Sequence, residues 1–167
     1  VDTSFGDMSY KVEAFAGTAI EQFGMSALSA KKTVSTYMSM ARGMGLNEEA
    51  ASDMSISLAG LTGDVASFYN ISQELADTKL KSVFTGETET LKDLGVVMTQ
   101  ANLKAYAMSQ GITKSLDSMS QAELVGLRYN YVMNSLSIAQ GDFAKTSGSW
   151  ANQTRILSEN WKELMSV

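Results

Sequence analysis

Ser120-Gln-Ala-Glu-Leu-Val-Gly-Leu-Arg-Tyr-Asn-Tyr-Val-Met-Asn-Ser-Leu-Ser-Ile-Ala139 decides how the rest of the chain is read. Val125, Tyr129, Val132, Leu136 and Ala139 form one apolar stripe on a helical wheel. Leu124, Leu127, Tyr131 and Ile138 form a second, roughly 130° away. Ser120 and Glu123 have the spacing of a capping box, which places the helix start at 121. A helix with two apolar faces has to be contacted on both sides, so 121–139 is expected at the centre of an all-α, multi-helix domain. Arg128 falls in the arc between the stripes, where a charge is costly unless it is met by a carboxylate or by helix-end carbonyls. Asp142 and Asp93 are the candidate carboxylates, and extension of the side chain to solvent is the competing outcome.

Working outward, the same period recurs along the chain. Phe5, Met8, Val12, Phe15, Ala16, Ala19 and Phe23 share one helical face that ends near Gly24. Ala27, Ala30, Val34, Met38 and Ala41 mark a second helix from Ser26 to Arg42, stopped by Gly43 and Gly45. Asn47 is placed to cap a third, with Glu48 and Glu49 complementing its dipole. Its stripe is Ala50, Met54, Leu58, Leu61, Val65 and Phe68, and Gly60 and Gly63 predict a bend or a close helix contact. Asn70 is read as the cap of a fourth helix carrying Ala76, Leu80, Val83 and Phe84. Short helices are expected near 88–94 and 99–110, closed by Gly95 and Gly111. A last one runs from about 146–150 onward, with Trp150, Leu157, Trp161 and Leu164 aligned. No segment alternates with period two, so about six to eight helices and no sheet are expected. The terminal helices read as cut, making 1–167 a single helical module from a longer chain.

Composition narrows the chemistry. The 167 residues contain no His, no Cys and no Pro, and carry a net charge of -5. Without His and Cys there is no Ser-His-Asp triad, no Cys-His pair and no His- or thiolate-based zinc site. Neither phosphate-loop nor dinucleotide-binding glycine pattern occurs, so no enzyme activity and no cofactor are expected. The carboxylates Glu48–Glu49 and Glu87–Glu89 are read as helix-start residues, and Gly60-Leu-Thr-Gly63 lies inside a helical stripe. The 13 Lys and Arg are scattered, which argues against specific nucleic-acid binding. No apolar run approaches the roughly 20 residues of a membrane span, and the sequons at Asn70 and Asn152 are read as chance. About eight prolines would be average for this length, and their absence suits long helices. The 11 Met suit a core with irregular gaps or an adaptable binding face.

Several segments in order resemble the core region of tail tape measure proteins of long-tailed bacteriophages and prophages. They are Gly63-Asp-Val-Ala-Ser-Phe-Tyr-Asn70, Val83-Phe-Thr-Gly-Glu-Thr-Glu89 leading into Leu91-Lys-Asp-Leu-Gly95, and Leu103-Lys-Ala-Tyr-Ala107. Leu127-Arg-Tyr-Asn-Tyr-Val-Met133, Gln140-Gly-Asp-Phe-Ala-Lys-Thr146 and Trp150-Ala-Asn-Gln-Thr-Arg155 follow. The resemblance covers about 45–165, with Thr90 standing where many relatives have Pro or Ala. It implies a virion structural protein, oligomeric in the tail lumen and in the host cytoplasm during assembly. It further implies tail-length determination and partnership with tail tube and assembly chaperone proteins. Gly86, Glu87, Gly95, Arg128, Tyr129, Gly141, Asp142, Phe143, Asn152 and Arg155 are its signature and structural positions. Trp150, Leu157, Trp161 and Leu164 form a candidate assembly surface. The alternative is a free-standing helical binding module, adaptor- or chaperone-like, using a Met-rich face.

Overall fold

The computed structural model describes residues 10–19 and 25–140, and these form an all-α domain. Helix α1 covers 10–19, followed by α2 (Ala27–Gly43), α3 (Glu48–Tyr69), α4 (Gln73–Leu80) and α5 (Ser82–Thr85). After a 3-10 turn at Lys92–Leu94 come α6 (Gln100–Ser109), a second 3-10 turn at Leu116–Ser118, and α7 (Gln121–Ser135). No strand occurs among the described residues.

The helix starts follow local chemistry. Ser26, Asn47, Ser72, Thr99 and Ser120 each accept a hydrogen bond from a first-turn backbone N–H of the helix they begin. Asn70 departs from the reading above. It closes α3 in the left-handed conformation, at φ 55°, and Ser72 starts α4 instead. Asn tolerates that conformation better than other side-chain-bearing residues, so it serves a C-terminus as readily as an N-cap. The stretch 88–94 makes only its 3-10 turn, bounded by left-handed Gly86 and Gly95.

Enclosure is greatest at α3, where every residue from Met54 to Val65 is buried. Gly60 and Gly63 lie within it without interrupting the helix, and small Ser52, Ser55, Ser57 and Ala59 allow neighbours to approach all round. Helices α2 and α4 pack along α3. Ion pairs from Lys11 to Asp53 (2.9 Å) and from Lys31 to Glu13 (2.9 Å) tie α1 to α3 and α2. Tyr37, outside the predicted stripe of α2, is fully buried; its hydroxyl donates to the Asp77 carbonyl at 3.2 Å and lies 3.4 Å from Thr62 Oγ1. Burial, with the Asp77 carboxylate nearby, raises its pKa well above the usual phenol value.

Helix α7 does meet neighbours on two sides, α5 and α6. It is shorter than 121–139, ending at Ser135 and continuing as turns to Gln140, where Asn134, Ser135 and Ser137 are weak helix formers. Ile138 is consequently 73% exposed, whereas Val125, Leu127, Tyr129, Val132 and Leu136 are buried. At the other end of the third-helix stripe, Phe68 is likewise partly exposed. The expected last helix lies outside the described residues.

Candidate functional site

Of the residues singled out by resemblance, Gly86, Glu87 and Gly95 lie on the irregular connection 86–97 between α5 and α6, and Arg128 packs over its start. This strap is short of internal helix, so its carbonyls need partners from elsewhere. Side chains from α3, α4, α6 and α7 supply them. Tyr69 Oη donates to Leu94 O at 2.9 Å, and Lys79 Nζ donates to Thr90 O at 3.3 Å. Val97 O accepts from both Tyr131 Oη (2.6 Å) and Asn102 Nδ2 (2.8 Å). Lys79 Nζ also meets Asp93 Oδ2 at 3.0 Å, and the hydroxyls of Ser82 and Thr90 are hydrogen-bonded to each other. Beneath these ties the strap buries Leu91, Leu94, Val96 and Met98.

Arg128 fastens the start of the strap. Its Nη1 donates to Val83 O and Phe84 O, both at 3.3 Å, so the guanidinium caps the C-terminal end of α5 and meets the negative end of its dipole. Helix-end carbonyls therefore satisfy Arg128, as one of the sequence readings required. Asp93, a proposed partner, pairs with Lys79 instead, and Asp142 lies outside the described residues. Partial burial lowers the Arg128 pKa. Gly86 sits directly under the guanidinium at φ 81°, and a Cβ there would lie 3.0 Å from Arg128 Nη2. Two separate constraints thus select glycine: the left-handed backbone and the space taken by the arginine.

The neighbouring signature residues act differently. Tyr129, one residue along α7, is fully buried and directed toward α3, where Ser57 and Asp53 influence it. Burial is the main reason its pKa is raised. Ser57 lies near its hydroxyl, but among the described residues no partner meets that oxygen in hydrogen-bonding geometry. Gly95 ends the 3-10 turn at φ 80° with open space around it, so its role is conformational only. Glu87 is exposed on the strap. Gly141, Asp142, Phe143, Asn152 and Arg155 lie outside the described residues, as do Trp150, Leu157, Trp161 and Leu164.

Sequence reasoning missed Lys79, Tyr69 and Asn102 as strap ties. Lys79 left a weaker signal, because it lies about 60° from Ala76 on the wheel, just outside the apolar arc of Ala76, Leu80 and Val83. It is only 8% exposed. Tyr69 and Asn102 left none, since their partners are backbone atoms about 25 and 5 residues away. The constellation couples four helices to one strap. Among the described residues no three His, Cys, Asp or Glu side chains gather closely enough to hold a metal ion, and no helix is long and apolar enough to cross a membrane. The chain matches no known protein family, curated protein or solved structure.

Proposed function

We propose that this chain is a structural module of a phage or prophage tail tape measure protein, acting in tail assembly and tail-length determination within the tail lumen. The supporting observation is the contact of Arg128 with Val83 and Phe84 carbonyls over Gly86. Two of the segments that carry the resemblance, some 45 residues apart in sequence, are the two sides of that one contact. Those two motifs are therefore parts of one physical arrangement. In this reading the work is mechanical. Each helix is a stiff rod rising about 1.5 Å per residue along its own axis, and the fastened strap keeps neighbouring helices from sliding. Copies of the chain, the tail tube and the assembly chaperones are the proposed partners.

The competing reading, a free-standing binding module with a Met-rich face, draws less support. Met25, Met54, Met98, Met119 and Met133 are buried in the core, and Met108 is the one described methionine that is mostly exposed.

Electron microscopy of a lysate from the encoding phage or prophage with residues 45–165 deleted tests the proposal. The expected result is loss of tails, which makes the module an assembly nucleus. Tails shortened by at most about 180 Å, the helical rise of that length, would support a ruler contribution instead. Normal tails of unchanged length would overturn the proposal.

A further inference from the structure

The strap 86–97 is pinned at both ends. Arg128 holds its start by capping α5 over Gly86, and at its finish Val97 O accepts from Tyr131 on α7 and Asn102 on α6. We propose that the stretch between the pins, 87–96, is a flap that opens as one unit while the helices stay folded, with the Lys79 ammonium as the latch that holds it shut. The proposal does not depend on the tail reading.

The flap is built to move as one piece, because its backbone hydrogen bonds close on themselves. Lys92 N donates to Glu89 O at 3.2 Å, Leu94 N to Leu91 O at 3.0 Å, Gly95 N to Lys92 O at 2.9 Å and Val96 N to Leu91 O at 3.1 Å. These bonds make one short turn, which does not persist once its packing is removed. Their joint loss therefore marks the opening. Left-handed Gly95 has no neighbouring atom within 4 Å of where a Cβ would stand, so the chain can turn there without collision. Burial of Leu91, Leu94 and Val96 opposes opening, and the freedom regained by the backbone favours it.

Lys79 tips this balance. It is almost wholly buried, and both acceptors of its ammonium, Asp93 Oδ2 at 3.0 Å and Thr90 O at 3.3 Å, belong to the flap. With the flap closed, those two groups satisfy the cation; with it open, water does. A buried ammonium is costly without a carboxylate beside it. Asp93 supplies one, but its own side chain is 81% exposed, so the attraction is screened. The latch therefore holds by a narrow margin. The other tie to the middle of the flap, from Tyr69 Oη to Leu94 O at 2.9 Å, is neutral and is readily exchanged for water.

Native-state amide hydrogen exchange of the whole chain tests the proposal. The amides of Lys92, Leu94, Gly95 and Val96 are expected to share one protection factor, at least about ten-fold below that of Leu58 and Leu61 in α3. Ser120→Ala weakens the start of α7, which the open state keeps. It is expected to speed the α3 amides about five-fold and the flap amides less than about two-fold. Asp93→Asn removes the charge that offsets the ammonium, and is expected to speed the flap amides about five-fold. Adding Lys79→Met to Asp93→Asn is expected to recover most of that loss, because no buried charge then remains. Protection equal to that of α3, an equal response of flap and α3 to Ser120→Ala, no response to Asp93→Asn, or no slowing on adding Lys79→Met would each overturn the proposal.

Discussion

Gly86 and Arg128 show how a single position can be constrained twice. At φ 81° an alanine bears the left-handed cost of about 1–2 kcal/mol, and its Cβ also meets the guanidinium at 3.0 Å. Gly86→Ala should therefore cost more than that backbone strain alone. Arg128→Met should cost about 1–3 kcal/mol by leaving the Val83 and Phe84 carbonyls without their donor. In the double variant the clash is relieved, so its cost should fall short of the sum of the two single costs by about 0.5–1 kcal/mol. Urea denaturation of the four proteins in this cycle measures the shortfall, and strict additivity would mean that Gly86 serves conformation only.

At the scale of elements, the start of α7 is the most local device in the molecule. Ser120 Oγ accepts from Glu123 N at 3.2 Å, and Glu123 Oε1 accepts from Ser120 N at 2.9 Å and from Lys114 Nζ at 2.9 Å. The Ser120 backbone bond first, and Lys114 next, lower the Glu123 pKa. A depressed folded-state pKa means that this contribution is complete above the unfolded value, about 4.3, and is lost as pH falls through the folded one. Ser120→Ala should cost about 1 kcal/mol at pH 7. Glu123→Gln should reduce the loss of stability on acidification from about pH 5 to about pH 3. Denaturation midpoints at both pH values provide the check, and an identical acid loss in the variant would show that Glu123 is not linked to folding.

Across the whole molecule, α3 is the most enclosed element, with α2 and α4 packed along it. Leu58 at its centre is fully buried, and Leu58→Ala should cost about 2–5 kcal/mol. Circular dichroism and tyrosine fluorescence should lose their signals together, since a single core unfolds as one unit. Separated transitions would mean that the helices form independent units. Ser55 offers the opposite sign. Its buried hydroxyl has no hydrogen-bond partner among the described residues, so Ser55→Ala removes an unsatisfied group and raises helix propensity. A gain of about 0.5–1 kcal/mol is expected.

What could be read directly from the chain was whatever depends on near neighbours. The starts at Ser26, Asn47, Thr99 and Ser120, the glycine stops and the helical class all follow from local hydrogen bonding and a 3.6-residue apolar period. Even the need for Arg128 to find helix-end carbonyls or a carboxylate was visible, because it stood inside an apolar arc. Which of these it found was decided by tertiary structure, as was the pairing of Asp93 with Lys79. The greater enclosure of α3 was hidden for a related reason. Periodicity registers hydrophobicity, whereas Ser52, Ser55, Gly60 and Gly63 matter through their small volume, and small volume becomes burial only when other helices close in. The strap between α5 and α6 belongs wholly to that level, since its carbonyls are met by side chains from helices that only the fold brings together.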